Sequence, residues 1–179
     1  MAVNQFNIAR TGQRAERKML VTIAEWAEAG AGTSTTTKRE ILGTRTEDSS
    51  IDYNAEINTS TDIRGNNYTD VDKTQPQQDF DPYLILGGSK LGALLNDIRS
   101  RNALSELDQF TIYIVTMFVG SAGAYAAEKH TDCTIAYNSI GGDTNVNFPI
   151  SVYLSNKITR GTVDKIAEDF TFTPDVTTS

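Results

Sequence analysis

Cysteine and histidine are nearly absent from the sequence, which contains one of each, Cys133 and His130. A single cysteine excludes a disulfide within the chain, and one histidine leaves too few ligands for a zinc site. The two residues are three positions apart in a segment that we expect to be a strand. We therefore expect their side chains on opposite faces, where they are unable to act together as nucleophile and base.

Long apolar runs and catalytic motifs are also missing. No segment approaches the roughly 20 apolar residues of a membrane-spanning helix, and residues 1–17 are too polar for a signal peptide. The sequence has no phosphate-binding glycine loop, no GxGxxG or GxSxG motif and no cluster of metal ligands. We expect a protein made in the cytoplasm that is not an enzyme, has no cofactor and has no membrane partner.

Basic residues are the minority among the charges. The chain has 16 Lys and Arg against 23 Asp and Glu, a formal charge of -7, which argues against a surface built to grip phosphate backbones. Four aspartates, Asp70, Asp72, Asp79 and Asp81, lack the spacing and central glycine of an EF-hand. We interpret them as hydrated loop residues rather than a cation site.

Most of the chain has the patterns of β-strands. Runs rich in β-branched and aromatic residues, or alternating between apolar and polar positions, predict strands at 19–26, 110–119, 125–137, 146–155 and 169–173. One amphipathic helix is predicted over 89–102, with Ser89 as its N-cap. Its core face consists of apolar residues at helical spacing: Leu91, Leu94, Leu95 and Ile98.

The length of 179 residues fits one domain spanning 1–179. Residues 1–17 are polar and without pattern, which predicts an N-terminal arm, and 65–83 are polar and contain two prolines, which predicts a long loop. The fold class we expect is mainly β, a β-sandwich or partly open barrel of about seven or eight strands, packed by one α-helix.

Residues 51–64 alternate strictly between two faces, one of them entirely polar. This pattern predicts a single strand of roughly 45 Å, which residues 38–48 pair with through a turn at 48–50. The polar face is either an ordinary solvent face or the lining of a wide aqueous channel built from several subunits, and the pattern alone does not choose between them. The residues concerned are Asp52, Asn54, Glu56, Asn58, Ser60 and Asp62.

The order of these elements resembles the tail tube proteins of siphophages, a family related to the tubes of contractile tails and of type VI secretion systems. The resemblance rests on a β pair with a long polar excursion over 38–83, one amphipathic helix over 89–102 and later strands ending in FTFTPD. No short diagnostic motif supports it, and no extra C-terminal immunoglobulin-like domain is evident.

The resemblance implies a virion protein, assembled in the host cytoplasm, that forms hexameric rings stacked into a tube. Its partners would be other copies of itself, the tape measure protein and other tail proteins, and DNA would pass through the lumen without specific binding. The six polar residues would line the lumen, and residues 1–17 and 65–83 would join one ring to the next. The alternatives are a secretion tube, a tail completion ring and a monomeric carbohydrate-binding β-sandwich.

Overall fold

The computed structural model describes residues 14–29, 35–46 and 48–175, so most of the predicted N-terminal arm lies outside the described residues. Short 3-10 turns occupy Arg17–Met19 and Leu104–Glu106. The strands and the helix are β1 Leu20–Ala29, β2 Thr35–Ile41, β3 Ile51–Asp52, β4 Glu56–Thr61, β5 Asn67–Lys73, β6 Gln77–Phe80, α1 Lys90–Arg101, β7 Phe110–Ser121, β8 Ala124–Tyr137, β9 Ile150–Tyr153, β10 Ile158–Val163 and β11 Phe172–Pro174.

Nine strands form one antiparallel sheet in the order β2–β1–β7–β8–β9–β6–β3, with β10 and β11 attached beside β8. The sheet folds over on itself, since Thr22 Oγ1 of β1 donates a hydrogen bond to Gln78 Oε1 of β6 at 2.8 Å. The expected class, mainly β in a β-sandwich or partly open barrel with one packed α-helix, is confirmed, and the large antiparallel sheet is consistent with the sandwich. The eleven strands among the described residues exceed the seven or eight expected.

Strand β8 contains a bulge, beyond which β9 replaces β10 as its second neighbour. Phe110 of β7 pairs with Cys133, but Ile112, two residues on, pairs with His130, so β8 carries one extra residue. Asp132 within the bulge has a φ of 57°. Phe110 and Ile112 lie on one face of β7, and His130 and Cys133 therefore share a face of β8. The expectation of opposite faces was wrong because the bulge reverses the alternation.

Two hydrophobic clusters lie on opposite faces of β1 and β7. Ile112 and Ile114 belong to the larger cluster, whereas Tyr113 and Val115 belong to the smaller. Residues of β6, β9 and α1 complete the larger cluster, and residues 166–172 cover the smaller. Burial on both faces explains why β7 is apolar at nearly every position, as the sequence indicated.

The helix has the predicted cap and the predicted core face. Ser89 Oγ accepts a hydrogen bond from the N–H of Gly92 at 3.1 Å, and Asn102 ends the helix in the left-handed conformation. Three of the four predicted core residues are buried, Leu91, Leu95 and Ile98. Leu94 is half-buried and packs against the same cluster.

The predicted fourteen-residue strand over 51–64 is wrong. It is divided into the two-residue β3, a connection at 53–55, the six-residue β4 and a turn. Asn54 in the connection has a φ of 46°, which interrupts an extended chain. Residues 38–48 do not pair with this segment either, because β2 pairs with β1.

The prediction of a long loop without a core pattern over 65–83 is also wrong. It contains β5 and β6, and β6 is inserted between β9 and β3. Gln78, Phe80 and Tyr83 are buried. The β6 signal was weak because its strand is only four residues long and two of them are glutamines.

The remaining strand predictions agree with the structure to within a few residues at β1, β7 and β8, and in part at β9 and β11. Phe170 is buried and Phe172 packs against the smaller cluster, as their alternation predicted. Strand β10 was missed. Its first three residues are exposed and it contains Gly161, so neither alternation nor composition distinguishes it from a loop.

Candidate assembly surface

The β4–β5 hairpin is exposed to solvent over nearly its whole described length. All residues from 52 to 71 are exposed except Asp62, which is half-buried by its own turn. The two strands pair only with each other, and the nine-stranded sheet does not continue into them. At the base, the N–H of Gln75 donates to the carbonyl of Tyr53, and Asn54 Nδ2 donates to the carbonyl of Gln75, each at 3.0 Å.

The turn at the tip is held by one carboxylate. Asp62 accepts hydrogen bonds from the N–H groups of Arg64 and Asn66, both at 2.8 Å, and from Asn66 Nδ2 at 3.0 Å. These bonds, with those from Asn66 first, lower the pKa of the Asp62 carboxyl group. Gly65 supplies the positive φ that the turn requires. Ile63 is left at the tip with its side chain fully exposed.

The two faces of the ribbon differ in chemistry. One face carries the cross-strand pairs Ile57 with Val71 and Thr59 with Thr69. Ile57 and Val71 are each about three-fifths exposed, at 61% and 62%. The opposite face carries the cross-strand pairs Asn58–Asp70 and Ser60–Tyr68. One face is therefore mainly β-branched and the other mainly polar.

The six residues predicted to share one polar face do not share a strand. Asn58 and Ser60 lie on the same face of β4, as alternation predicted. Glu56 is separated from them by a register shift next to Ile57. The other three lie elsewhere, because Asp52 belongs to β3, Asn54 to the connection and Asp62 to the turn.

Physical chemistry makes such a hairpin an incomplete structure. A two-stranded ribbon is marginally stable alone, and neither of its outer edges pairs with another described strand. The exposed side chains of Ile57, Ile63 and Val71 add apolar surface whose contact with water is unfavourable in free energy. The whole segment therefore suits contact with another protein chain.

A cleft of about 630 Å³ opens near the base of the hairpin. Tyr53, next to the start of the hairpin, is part of its wall. Apolar side chains of β1, β7 and β8 line it, among them Leu20, Ile114 and Ala126, and charged groups stand beside them. Arg160 Nε lies 3.9 Å from Glu128 Oε1, and both residues line this cleft. The cleft is thus apolar with a charged border.

The only histidine and cysteine are structural in their surroundings. Nδ1 of His130 donates to the carbonyl of Ser155 at 2.8 Å, and Nε2 lies 3.8 Å from Oε2 of Glu128, beyond hydrogen-bond distance. Interaction with the His130 side chain lowers the pKa of the Glu128 carboxyl group. Burial raises the pKa of the Cys133 thiol. Neither the thiol nor the imidazole has the exposure that attack on a substrate requires.

Other groups considered from the sequence are dispersed. Asp70 and Asp72 both lie on β5 and Asp79 lies on β6, whereas Asp81 accepts a hydrogen bond from Asn147 Nδ2. Within 14–29, 35–46 and 48–175, no three His, Cys, Asp or Glu side chains are grouped so that they could hold a metal ion. No helix in this described part of the chain is both long and apolar enough to cross a membrane.

No protein-family model matches this chain, and a search of curated proteins finds no match. The resemblance to tail tube proteins therefore rests on the order and type of the elements alone.

Proposed function

We propose that this chain is the repeating subunit of a bacteriophage tail tube, assembling as stacked rings whose lumen conducts DNA. The observation that supports this proposal is the β4–β5 hairpin, which is exposed on both faces and at both edges. A subunit that repeats along a tube needs a surface that is completed only by another copy. The hairpin is a surface of that kind.

The edges of the main sheet add to this support. β2 at one end and β3 at the other each pair with one described strand only, so their outer backbone groups are available to a further strand. Pairing of such edges between copies would close several sheets into a wide barrel, whose interior stays polar and wet. Asn58 and Ser60 are the residues we assign to a polar face of this assembly.

The excess of acidic over basic residues in the chain is consistent with a conduit for DNA. A wall that repels phosphates lets DNA slide, whereas a basic wall would retain it. In this proposal the tape measure protein and other tail proteins are further partners of the tube. A secretion tube and a tail completion ring share the same surfaces and differ in the length of the assembly.

A carbohydrate-binding sandwich receives less support. Such modules usually stack sugars on exposed aromatic rings. Trp26, the only tryptophan, is 5% exposed and packs against Phe110 in the larger cluster, and the exposed tyrosines Tyr53, Tyr68 and Tyr153 belong to three separate segments. A role of this kind would leave the hairpin without an explanation.

Electron microscopy of the purified protein, and measurement of its molecular mass by light scattering over a range of concentrations, test the proposal. We expect light scattering to show growth from monomers to large assemblies, and electron microscopy to show rings or tubes with a central channel. Short rings that do not stack would favour the completion-ring alternative. A protein that remains monomeric at millimolar concentration would remove the proposal.

A further inference from the structure

We infer that the hairpin tip of one copy docks in the cleft of the next copy, with Ile63 as the inserted apolar side chain. This inference rests on the proposed assembly and specifies the contact that drives it. The tip is residues 62–66, and the cleft is the one lined by Leu20, Ile114, Val119, Ala126, Glu128 and Asp175.

The tip is built as a preformed knob. Asp62 fixes the backbone of the turn through three hydrogen bonds, so little conformational freedom remains to be lost on docking. Ile63 has a relative exposure of 106%, the highest among the large exposed hydrophobic residues of the described chain. A fully exposed isoleucine on a rigid turn is typical of an anchor residue at a protein interface.

The cleft complements the tip in polarity and charge. Its apolar lining suits the Ile63 side chain, and its volume of about 630 Å³ holds more than one side chain. Arg64, next to Ile63, makes no ion pair within 14–29, 35–46 and 48–175. Arg17 and Arg160 line the cleft together with Glu128 and Asp175, and Arg160 Nε lies 3.9 Å from Glu128 Oε1. Asp175 is therefore the carboxylate that the guanidinium of a docked tip could meet.

A copy cannot fill its own cleft with its own tip. Tyr53 lines the cleft and also lies at the base of the hairpin. Its carbonyl accepts a hydrogen bond from the N–H of Gln75, which fixes the position at which the hairpin leaves the rest of the fold. Six paired residues carry the tip roughly 20 Å away from that base. The tip is therefore available only to another molecule.

Knob and cleft are different surfaces, so the contact is head-to-tail. A head-to-tail contact repeats from copy to copy and generates a closed ring or an open helical array. A contact between two tips, by contrast, would stop at a dimer. Repetition of this one contact would therefore produce the growing assembly that the proposed function requires.

Cross-linking tests the contact directly. Cys133 is the only natural cysteine and is buried, so it competes little with introduced thiols. The double variant with Ile63→Cys and Ala126→Cys should give, after mild oxidation, a ladder of covalent oligomers on a non-reducing gel. A matched control with Ile140→Cys, another exposed isoleucine, and Ala126→Cys should give no ladder. A ladder in the control alone, or efficient dimers of Ile63→Cys alone, would overturn the inference.

A mixing experiment separates this inference from the proposed function. Ile63→Asp removes the knob, and Ala126→Trp fills the cleft; Val119→Arg replaces Ala126→Trp if that variant fails to fold. Each variant alone should not assemble, and an equal mixture should stop at one-to-one dimers, because one intact knob meets one intact cleft. Wild-type assembly with normal assembly of both variants would overturn the contact and leave the function standing. A wild-type protein that never assembles would remove both.

Discussion

At the scale of single residues, Glu40 joins the helix to the sheet. Its carboxylate accepts hydrogen bonds from the hydroxyl groups of Tyr83 at 2.8 Å and Ser89 at 2.9 Å. It also accepts from the N–H groups of Lys90 at 2.7 Å and Leu91 at 2.9 Å. A negative charge at this position compensates the helix dipole and satisfies donors that the first helical turn leaves free.

We predict that Glu40→Ala lowers the free energy of unfolding by about 2–3 kcal/mol, since hydrogen bonds to a charged group are among the stronger ones. Urea denaturation followed by the fluorescence of Trp26 measures the change. The matched control is Glu28→Ala, whose exposed carboxylate lies 3.3 Å from Lys38 and should contribute less than about 1 kcal/mol. Equal losses in the two variants would show that Glu40 does not hold the helix.

Tyr113 should make the fold sensitive to alkali. Burial, with a smaller contribution from the Glu25 carboxylate, raises the pKa of its phenol from 10.0 to about 12. Between these values the folded protein keeps a proton that the unfolded chain loses, so stability falls as the pH rises from 10 to 12. The loss reaches roughly 2–3 kcal/mol for a shift of two units.

Tyr113→Phe tests this pH dependence. The variant lacks the phenol, so its stability should decline less steeply than that of the wild type between pH 10 and 12. The difference in absorbance at 295 nm between the two proteins, titrated over the same range, reports the ionisation of Tyr113 itself. A difference titration centred near pH 10 would contradict the prediction.

At the scale of elements, the helix contributes to the core through three side chains. Leu95 is fully buried, so Leu95→Ala should lower the free energy of unfolding by about 2–5 kcal/mol. Leu94→Ala is the matched control, because the same substitution one position earlier truncates a side chain that is only half-buried. The thermal unfolding temperature of Leu95→Ala should be well below that of Leu94→Ala. The reverse order would place the core face of the helix elsewhere.

The hairpin is the second element with a testable role. Replacement of residues 55–73 by a short Gly-Ser linker removes no member of the two hydrophobic clusters, so the variant should fold with nearly unchanged thermal stability but should not assemble. Removal of 65–83, the loop predicted from the sequence, should instead unfold the protein, because Phe80 and Tyr83 are buried. Normal tubes from the linker variant would exclude the hairpin from assembly.

At the scale of the whole molecule, the polar face of the hairpin is the part that we assign to the lumen. Lysine at both Asn58 and Ser60 should allow assembled tubes to bind duplex DNA, with an affinity that falls steeply as salt increases. Aspartate at the same two positions is the matched control and should not bind. Fluorescence anisotropy of a labelled duplex measures both. Equal binding by the two sets of tubes would place this face outside the lumen.

Before the structure is considered, local patterns already determine part of this protein. The helix was predictable because its cap and its core face repeat within a few residues of one another. β7 was predictable because its composition is apolar and β-branched over many residues, and β8 because apolar and polar positions alternate along it. Asn58 and Ser60 were correctly placed on one face, since strand alternation is a property of neighbouring residues.

Only the tertiary structure decided the features that depend on distant partners. The bulge at Asp132, the insertion of β6 between β9 and β3, and the role of Glu40 at the helix start all join segments far apart in the chain. The alternation over 51–64 suggested one long strand, but alternation does not record where the backbone turns. The physical reason is that periodicity describes one segment, whereas pairing and burial are properties of two.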